Sequence, residues 1–223
     1  MRRFVAPGMI IAAFVLSAVT YFGLPQSVVV HWSLNGTPNG HASPLFTALF
    51  APLLMLALWT GLGDRGLGRD VRSLFTRKPS PADRSAARSN YGGVVEVMLG
   101  NALAFHIVLI ASAIGILAPT DQPMILALGL SLGLIILGNY IPRVTKRNLL
   151  IGVRSPWAFA SEAVWQRTQR VGGYAMVAAG AVGFVGALLV RSAPLKPVFI
   201  ALILQVSFVY IYSFRLARLK KLA

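Results

Sequence analysis

The sequence predicts an all-α, polytopic membrane protein, and three observations lead to that prediction. Hydrophobic residues make up 56% of the 223 residues and charged residues only 12%, whereas soluble domains carry about 25% charged residues. Apolar runs recur at the ~20-residue length that a helix needs to cross a bilayer. Basic residues collect in alternate connecting segments, as they do in membrane proteins. We expect a bundle of six transmembrane helices with short interfacial helices and a small structured outer loop.

Six apolar runs mark the expected spans. They cover residues 4–23, 45–62, 91–118, 124–141, 172–190 and 197–214. The first run follows two arginines, as a signal peptide would, but it exceeds the roughly 7–15 apolar residues of a signal core. We therefore expect it to remain as a span. Small residues spaced four apart predict close helix packing in the fourth and fifth spans. They are Gly129, Gly133, Ala175, Ala179, Gly183 and Ala187.

The spans divide the chain into three predicted parts. They are a two-span unit over 1–62 with an outward loop at 24–44, a cytoplasmic amphipathic helix and polar linker over 63–90, and a four-span unit over 91–223 with a cytoplasmic platform at 142–171. In the middle part, Leu67, Val71 and Leu74 fall on one helical face among arginines, which suits a helix lying among lipid headgroups. The polar linker is expected over 82–90. A regulatory docking surface is the alternative role for this part.

The distribution of charge decides what the net charge of +15 means. All of the 21 lysines and arginines except Arg191 and Lys196 lie before the first span, after the last span, or in segments 63–90 and 142–171. This asymmetry follows the positive-inside rule and predicts that both termini are cytoplasmic. Clustered cations also bind nucleic acid, but their placement beside membrane spans favours the lipid bilayer as partner and argues against direct nucleic-acid binding.

The outward loop predicts a short extended segment with tight turns. Val28, Val29 and Val30 favour an extended backbone, and Asn35-Gly36 and Asn39-Gly40 are turn dipeptides. Either a small hairpin on the outer face of the membrane or a structured loop over helix ends would fit. His31 and His41 have only the distant Asp121 as a further metal ligand on this side, so we expect no metal site and no cofactor.

Two ionisable residues lie inside predicted spans. Glu96 lies near the cytoplasmic start of the third span, where Asn139 and Arg143 at the end of the fourth span are within reach of it. Contact with headgroup water is the alternative for Glu96. His106 lies near mid-membrane, where bonding to a neighbouring helix or a proton relay with Glu96 are the two hypotheses. No catalytic motif is present in the sequence, and we expect no enzyme activity.

The platform, residues 142–171, combines basic residues with helix-boundary signals. Pro142 ends the fourth span, Ser155-Pro156 resembles a cap followed by a first-turn proline, and Ser161 precedes Glu162 as a second cap. Trp157 and Trp165 suit the interface, with their indole N–H groups among headgroups. The platform is therefore expected to form two short surface-lying or re-entrant helices, with docking of a protein or peptide as its added role.

The stretch GNYIPRVTKRNLLIGVRSPWAFASEAVWQRTQRVGG, residues 138–173, resembles the SdpI family of bacterial membrane proteins. The residues that match the family pattern are Gly138, Asn139, Asn148, Gly152, Arg154, Pro156, Trp157, Glu162, Trp165, Thr168, Gly172 and Gly173. Ser155 stands where the family usually has threonine. The outer loop also resembles the small domain of unknown function that often precedes this family, through Pro25, His31, Trp32, Gly36, Pro38 and Gly40.

The resemblance implies an immunity function in a bacterial inner membrane. Such a protein protects the cell against a membrane-active peptide toxin, and in the best-known members it also sequesters a cytoplasmic repressor. On that basis the outer loop is expected to contact toxin and the platform to hold the repressor. A small proton-coupled transporter that uses Glu96 and His106, or a structural protein of the envelope, is the alternative function.

Overall fold

The computed structural model describes residues 4–62, 81–118, 120–144, 147 and 152–219. Within them the chain forms six long helices: α1 (Val5–Thr20), α2 (Pro44–Leu62), α3 (Pro81–Ala113), α4 (Gln122–Tyr140), α5 (Glu162–Leu189) and α6 (Leu195–Leu219). A β-hairpin of β1 (Val28–Trp32) and β2 (Pro38–Ala42) joins α1 to α2. The predicted six-helix membrane bundle is confirmed. We call the end of the bundle that carries the hairpin the hairpin end, and the end that carries residues 142–171 the platform end.

The outward faces of the helices are apolar. In the described part of the chain, six helices are long and apolar enough to cross a membrane. Val182 of α5 and Ile203 and Leu204 of α6 are 61%, 63% and 64% exposed. Such surfaces are unfavourable in water but match lipid tails, and a helix satisfies its backbone hydrogen bonds internally. The protein is a multi-pass membrane protein.

The tightest packing in the bundle is between α4 and α5. A Cβ atom placed on Gly173 would lie 2.6 Å from the carbonyl oxygen of Gly138, and one on Gly138 would lie 2.7 Å from the carbonyl oxygen of Gly173. The two backbones are therefore in contact, and a larger side chain has no room between them. Farther along α5, a Cβ on Gly183 would lie 3.1 Å from Ser131 Oγ of α4 and 3.2 Å from Val198 Cα of α6.

The predicted packing of small residues is found in α5, but the two glycines of α4 differ from each other. In α5, Ala179, Gly183 and Ala187 are buried, as predicted. In α4, Gly133 faces Asn101 of α3, but Gly129 is exposed, and a Cβ atom placed on it would have no neighbouring atom within 4 Å. The predicted packing role of Gly129 is therefore wrong, because this position faces away from the neighbouring helices.

The hairpin packs into the bundle instead of lying free on its surface. Val28 and Trp32 are buried against Leu109, Ala127, Ala187, Leu195 and Val198, which come from α3, α4, α5 and α6. The strands are antiparallel, with Val28 opposite Ala42 and Trp32 opposite Pro38. Gly36 in the turn has a φ of 77°, a conformation that favours glycine. Of the two alternatives for the outward loop, the small hairpin is correct.

Two helix boundaries differ from the prediction. α3 begins at Pro81, so the linker predicted over 82–90 is helical. α5 begins at Glu162 instead of 172, so the second interfacial helix is the start of a continuous 28-residue helix. Hydropathy marks where a helix enters lipid, whereas Pro81 and the Ser161 cap mark where the helix starts. The amphipathic helix predicted from Leu67 onward lies outside the described residues, and the three-part division of the chain remains a prediction.

We expect Gly173→Ala to destabilise the protein by about 1–3 kcal/mol, since the added methyl group forces α4 and α5 apart. Thermal unfolding of the purified protein in detergent measures the change. Gly129→Ala is the matched control: it lies in a helix with open space around it, so its unfolding temperature should stay the same or rise. Equal losses in the two variants would contradict the inferred α4–α5 contact.

Candidate functional site

The platform starts where α4 leaves the bundle. A short 3₁₀ turn, Ile141–Arg143, follows α4 and contains Pro142. Asn139 is exposed, and its Nδ2 donates to the carbonyl oxygen of Ile135 at 2.8 Å. Asn139 thus bonds back to the preceding turn of its own helix. The guanidinium of Arg143 lies 5.0 Å from the centre of the Tyr140 ring.

Trp165 is the central anchor of the platform. Its side chain is fully buried, and its Nε1 donates to the carbonyl oxygen of Val144 at 2.9 Å. The indole packs against Phe159, with 5.3 Å between ring centres, in a cluster that includes Val94 of α3. The prediction that Trp165 lies at the membrane interface is wrong, because the start of α5 turns this face inward and an internal carbonyl replaces the headgroup as acceptor.

Gln169 holds the segment that follows Gly152. This side chain is fully buried; its Oε1 accepts from Val153 N at 2.8 Å and its Nε2 donates to Val153 O at 3.0 Å. Gly152 has a φ of 107°, and a Cβ on it would collide with Gln169 Oε1. Sequence analysis missed Gln169. Its spacing of four residues from Trp165 on the same helical face is the signal that would have indicated it.

A chain of hydroxyl hydrogen bonds fixes the platform to α6. Ser155 Oγ accepts from Ala158 N at 3.1 Å, and it lies 2.6 Å from Ser213 Oγ of α6. Ser213 donates to the carbonyl oxygen of Tyr210 at 2.8 Å. Because each hydroxyl has one proton, Ser155 is the donor to Ser213. Ser155 thus bonds the N–H three residues ahead, as a cap would, but the N-cap position of the 3₁₀ turn Ala158–Ala160 is Trp157. The bond to Ser213 adds a tertiary contact.

The Arg-Ser-Pro-Trp step is residues 154–157, and its side chains other than Ser155 are exposed or half-buried. Arg154 and Pro156 are exposed, and Trp157 is half-buried. The Trp157 ring packs edge-on against Tyr210 and Phe214 of α6, with 4.9 Å between ring centres in both pairs. The step therefore combines a bonded, buried serine with a cationic and aromatic surface.

Two further side chains form hydrogen bonds to the backbone of the platform. Ser161 Oγ accepts from Val164 N at 3.2 Å and caps α5, as predicted, with exposed Glu162 in the first turn. Arg147 Nη1 donates to the carbonyl oxygen of Phe159 at 2.9 Å. Asn148 lies outside the described residues.

Of the two intramembrane ionisable residues, His106 has clear partners. It is fully buried, and its Nε2 lies 2.9 Å from Ser17 Oγ of α1. Ser17 Oγ lies 2.6 Å from the carbonyl oxygen of Ala48 in α2, so the three helices meet at one polar junction. This agrees with bonding to a neighbouring helix. Glu96 is half-buried in α3, and its pairing with Asn139 or Arg143, like the relay to His106, remains a prediction.

The predicted residues of the outer loop have different surroundings in the hairpin. Trp32 is buried, and its indole N–H has no acceptor among the described residues. His31 is exposed, and its Nδ1 donates to Asn39 Oδ1 across the hairpin at 2.6 Å. Gly40 lies against the His31 side chain, where a Cβ would be 2.7 Å from that of His31. Gly36 contacts Pro123 of α4 in the same way. Pro25 and Pro38 are exposed.

The described residues contain no group of three or more histidines, cysteines, aspartates or glutamates that would hold a metal ion. His31 is engaged with Asn39, which gives that imidazole a structural bond within the hairpin.

Comparison with known proteins finds two family matches, in separate parts of the chain. Residues 144–213 match the SdpI/YfhL protein family, and residues 8–56 match a domain of unknown function (DUF1648). The C-terminal part of the chain is thus similar to the SdpI/YfhL family. It is also similar to a protein named immunity protein SdpI from Bacillus subtilis (strain 168), with 24% identity over 169 residues that cover 75% of this chain and 72% of that protein. No solved structure matches this chain.

The family boundaries coincide with structural units. The SdpI/YfhL match begins at the carbonyl that accepts the Trp165 indole and ends at Ser213, the partner of Ser155. It therefore encloses the platform, α5 and most of α6. The other match encloses most of α1, the hairpin and most of α2. The resemblance stated from the sequence is confirmed.

We expect Gln169→Leu to release the segment around Val153, because the backbone N–H and C=O of this half-buried residue lose their partners. A lost buried hydrogen-bond partner costs about 1–3 kcal/mol, so trypsin cleavage after Arg154 should accelerate about tenfold or more. Digestion of the detergent-purified protein, followed by mass spectrometry of the fragments, measures the rate. Gln166→Leu is the control, since Gln166 is exposed on the same helix; similar acceleration in that variant would count against the Gln169 clamp.

Proposed function

We propose that this protein is an SdpI-type immunity protein that protects a bacterial cell against a membrane-active peptide toxin. The observation that carries the proposal is its similarity to the curated immunity protein, which covers 75% of the chain. In this proposal the hairpin end faces the outside and contacts toxin, and the platform faces the cytoplasm and captures a repressor. The excess of basic residues at the platform end supports that orientation through the positive-inside rule.

The geometry supports a connection between the two ends. Ala187 near the end of α5 is in the cluster that buries the hairpin residues Val28 and Trp32. The other end of the same helix carries Trp165 and Gln169, which hold the platform. A change in how the hairpin packs therefore acts on a helix that also positions the platform. This is the structural basis on which we propose that toxin contact outside affects a partner inside.

We expect expression of this protein to protect a Bacillus subtilis strain that lacks its own SdpI against culture supernatant of the parent strain. Arg154→Ala and Trp157→Ala should each reduce survival to that of cells with an empty vector, because they remove the exposed cation and the half-buried aromatic ring of the platform. Colony counts after exposure measure survival, and immunoblots of membranes confirm equal protein levels.

Two variants serve as matched controls for this experiment. Arg191→Ala removes an exposed arginine at the hairpin end, and Tyr174→Ala removes an aromatic ring that is 67% exposed on α5. Both should protect as well as the unchanged protein. If the wild-type protein gives no protection at equal expression, the immunity proposal fails for this toxin; if it protects and Arg154→Ala and Trp157→Ala protect equally, the platform is not the acting surface.

The proposed orientation can be measured directly, since the sequence contains no cysteine. We expect Asn35→Cys, at the exposed hairpin turn, to react with a membrane-impermeant maleimide on intact cells. Ala160→Cys, which is exposed on the platform, should react only after the cells are opened. The opposite labelling pattern would reverse the orientation and remove the hairpin as the toxin-contacting element.

A further inference from the structure

One face of α6 carries a continuous column of side chains at the platform end. Tyr210, Phe214 and Arg218 follow each other at four-residue spacing, which places them one turn apart. Trp157 of the platform packs 4.9 Å from both Tyr210 and Phe214. The Arg218 guanidinium lies 4.5 Å from the centre of the Phe214 ring. We call these four residues the α6 column.

The α6 column lies on the lipid-facing surface and extends toward the headgroups. Tyr210 is 46% exposed, and the neighbouring Ile211 and Leu219 are 54% and 66% exposed. Arg218 is exposed in the last turn of the helix. Eight residue steps separate Tyr210 from Arg218, a rise of about 12 Å, which exceeds the roughly 5–8 Å thickness of one headgroup region. A column of this length reaches lipid tails with Tyr210 when Arg218 is at the level of the lipid phosphates.

The excess of positive charge at the platform end favours an anionic partner. The chain has 21 lysines and arginines but only six acidic residues, so most of its cations cannot be neutralised from within. Arg215, three residues before Arg218, is a second exposed cation, about 4.5 Å away along the helix axis and on a neighbouring part of the helix surface. An arginine held by an aromatic ring keeps its N–H donors directed outward, and its planar fork suits phosphate.

We propose that the α6 column is a binding site for an anionic phospholipid. The phosphate binds Arg218 with help from Arg215, and an acyl chain packs along the rings of Trp157 and Tyr210. A soluble protein would meet only the arginines, because the aromatic half of the column lies at the depth of the lipid tails. Free phosphate would lack the acyl contact. The same lipid would contact both the platform and α6, and it would therefore reinforce the Ser155–Ser213 attachment.

The experiment is a lipid titration of the full-length protein in a neutral detergent, followed by native mass spectrometry. Phosphatidylglycerol and phosphatidylcholine with identical acyl chains are the probes, and inorganic phosphate is the third arm. We expect tighter binding of phosphatidylglycerol than of phosphatidylcholine, and no saturable binding of phosphate. Arg218→Gln should weaken phosphatidylglycerol binding about fivefold, which is the effect of one cation near an anionic surface, and leave phosphatidylcholine binding unchanged.

Two further variants separate a specific site from general attraction. Arg191→Gln removes an exposed cation at the hairpin end and should keep the full preference for phosphatidylglycerol. Trp157→Phe should weaken both lipids by a similar factor, because it reduces the apolar surface and keeps the charge. Equal binding of the two lipids, or equal losses in Arg218→Gln and Arg191→Gln, would overturn the proposal and leave the column to a protein partner. Saturable binding of inorganic phosphate with the same affinity as the lipid would also overturn it.

Discussion

The platform depends on a constraint that the membrane sets: an irregular segment at its edge must satisfy backbone hydrogen bonds without free access to water. Helices meet this demand internally, and two 3₁₀ turns do so for part of the described segment between α4 and α5. Side chains add hydrogen bonds to the backbone of this segment. Trp165 bonds Val144, Gln169 bonds both polar groups of Val153, and Arg147 bonds Phe159. The shape of the platform follows from these bonds, since each fixes one part of the segment to α5 or to the turn before it.

The two ends of the bundle are stabilised in different ways. At the hairpin end, burial of Val28 and Trp32 among apolar residues of four helices holds the hairpin in place. At the platform end, the apolar cluster around Trp165 is joined by side-chain hydrogen bonds, and Ser155 and Ser213 extend these bonds to α6. The contrast suits the proposed roles, because apolar contacts allow a hairpin to shift in place while directed hydrogen bonds keep a docking surface in one arrangement. The α6 column adds a lipid-facing side to that same surface.

Two glycines bring α4 and α5 into backbone contact at the platform end. Close contact of Gly138 with Gly173 brings α4 and α5 together just where the platform starts and where its anchoring helix enters the membrane. Small residues at such contacts gain van der Waals packing that lipid does not replace. The polar junction of His106, Ser17 and Ala48 joins α1, α2 and α3 by hydrogen bonds instead. An apolar cluster that includes Ile10, Met55 and Leu99 packs the same three helices together beside this junction.

The sequence by itself determined the number of spans, the Ser161 cap and the family resemblance, and it left the hairpin as one of two alternatives. Each depends on composition or spacing over a few neighbouring residues, and such patterns are present before the chain folds. The tertiary structure decided the rest. The rotation of α5 against α3, α4 and α6 decides whether Trp165 faces lipid or the interior. The same rotation brings Gln169 to the backbone of Val153. Hydropathy also missed the true start of α5, because it measures entry into lipid, and a cap sets where the helix begins. These features are set by packing between segments that are distant in the sequence. A local sequence pattern does not predict that packing.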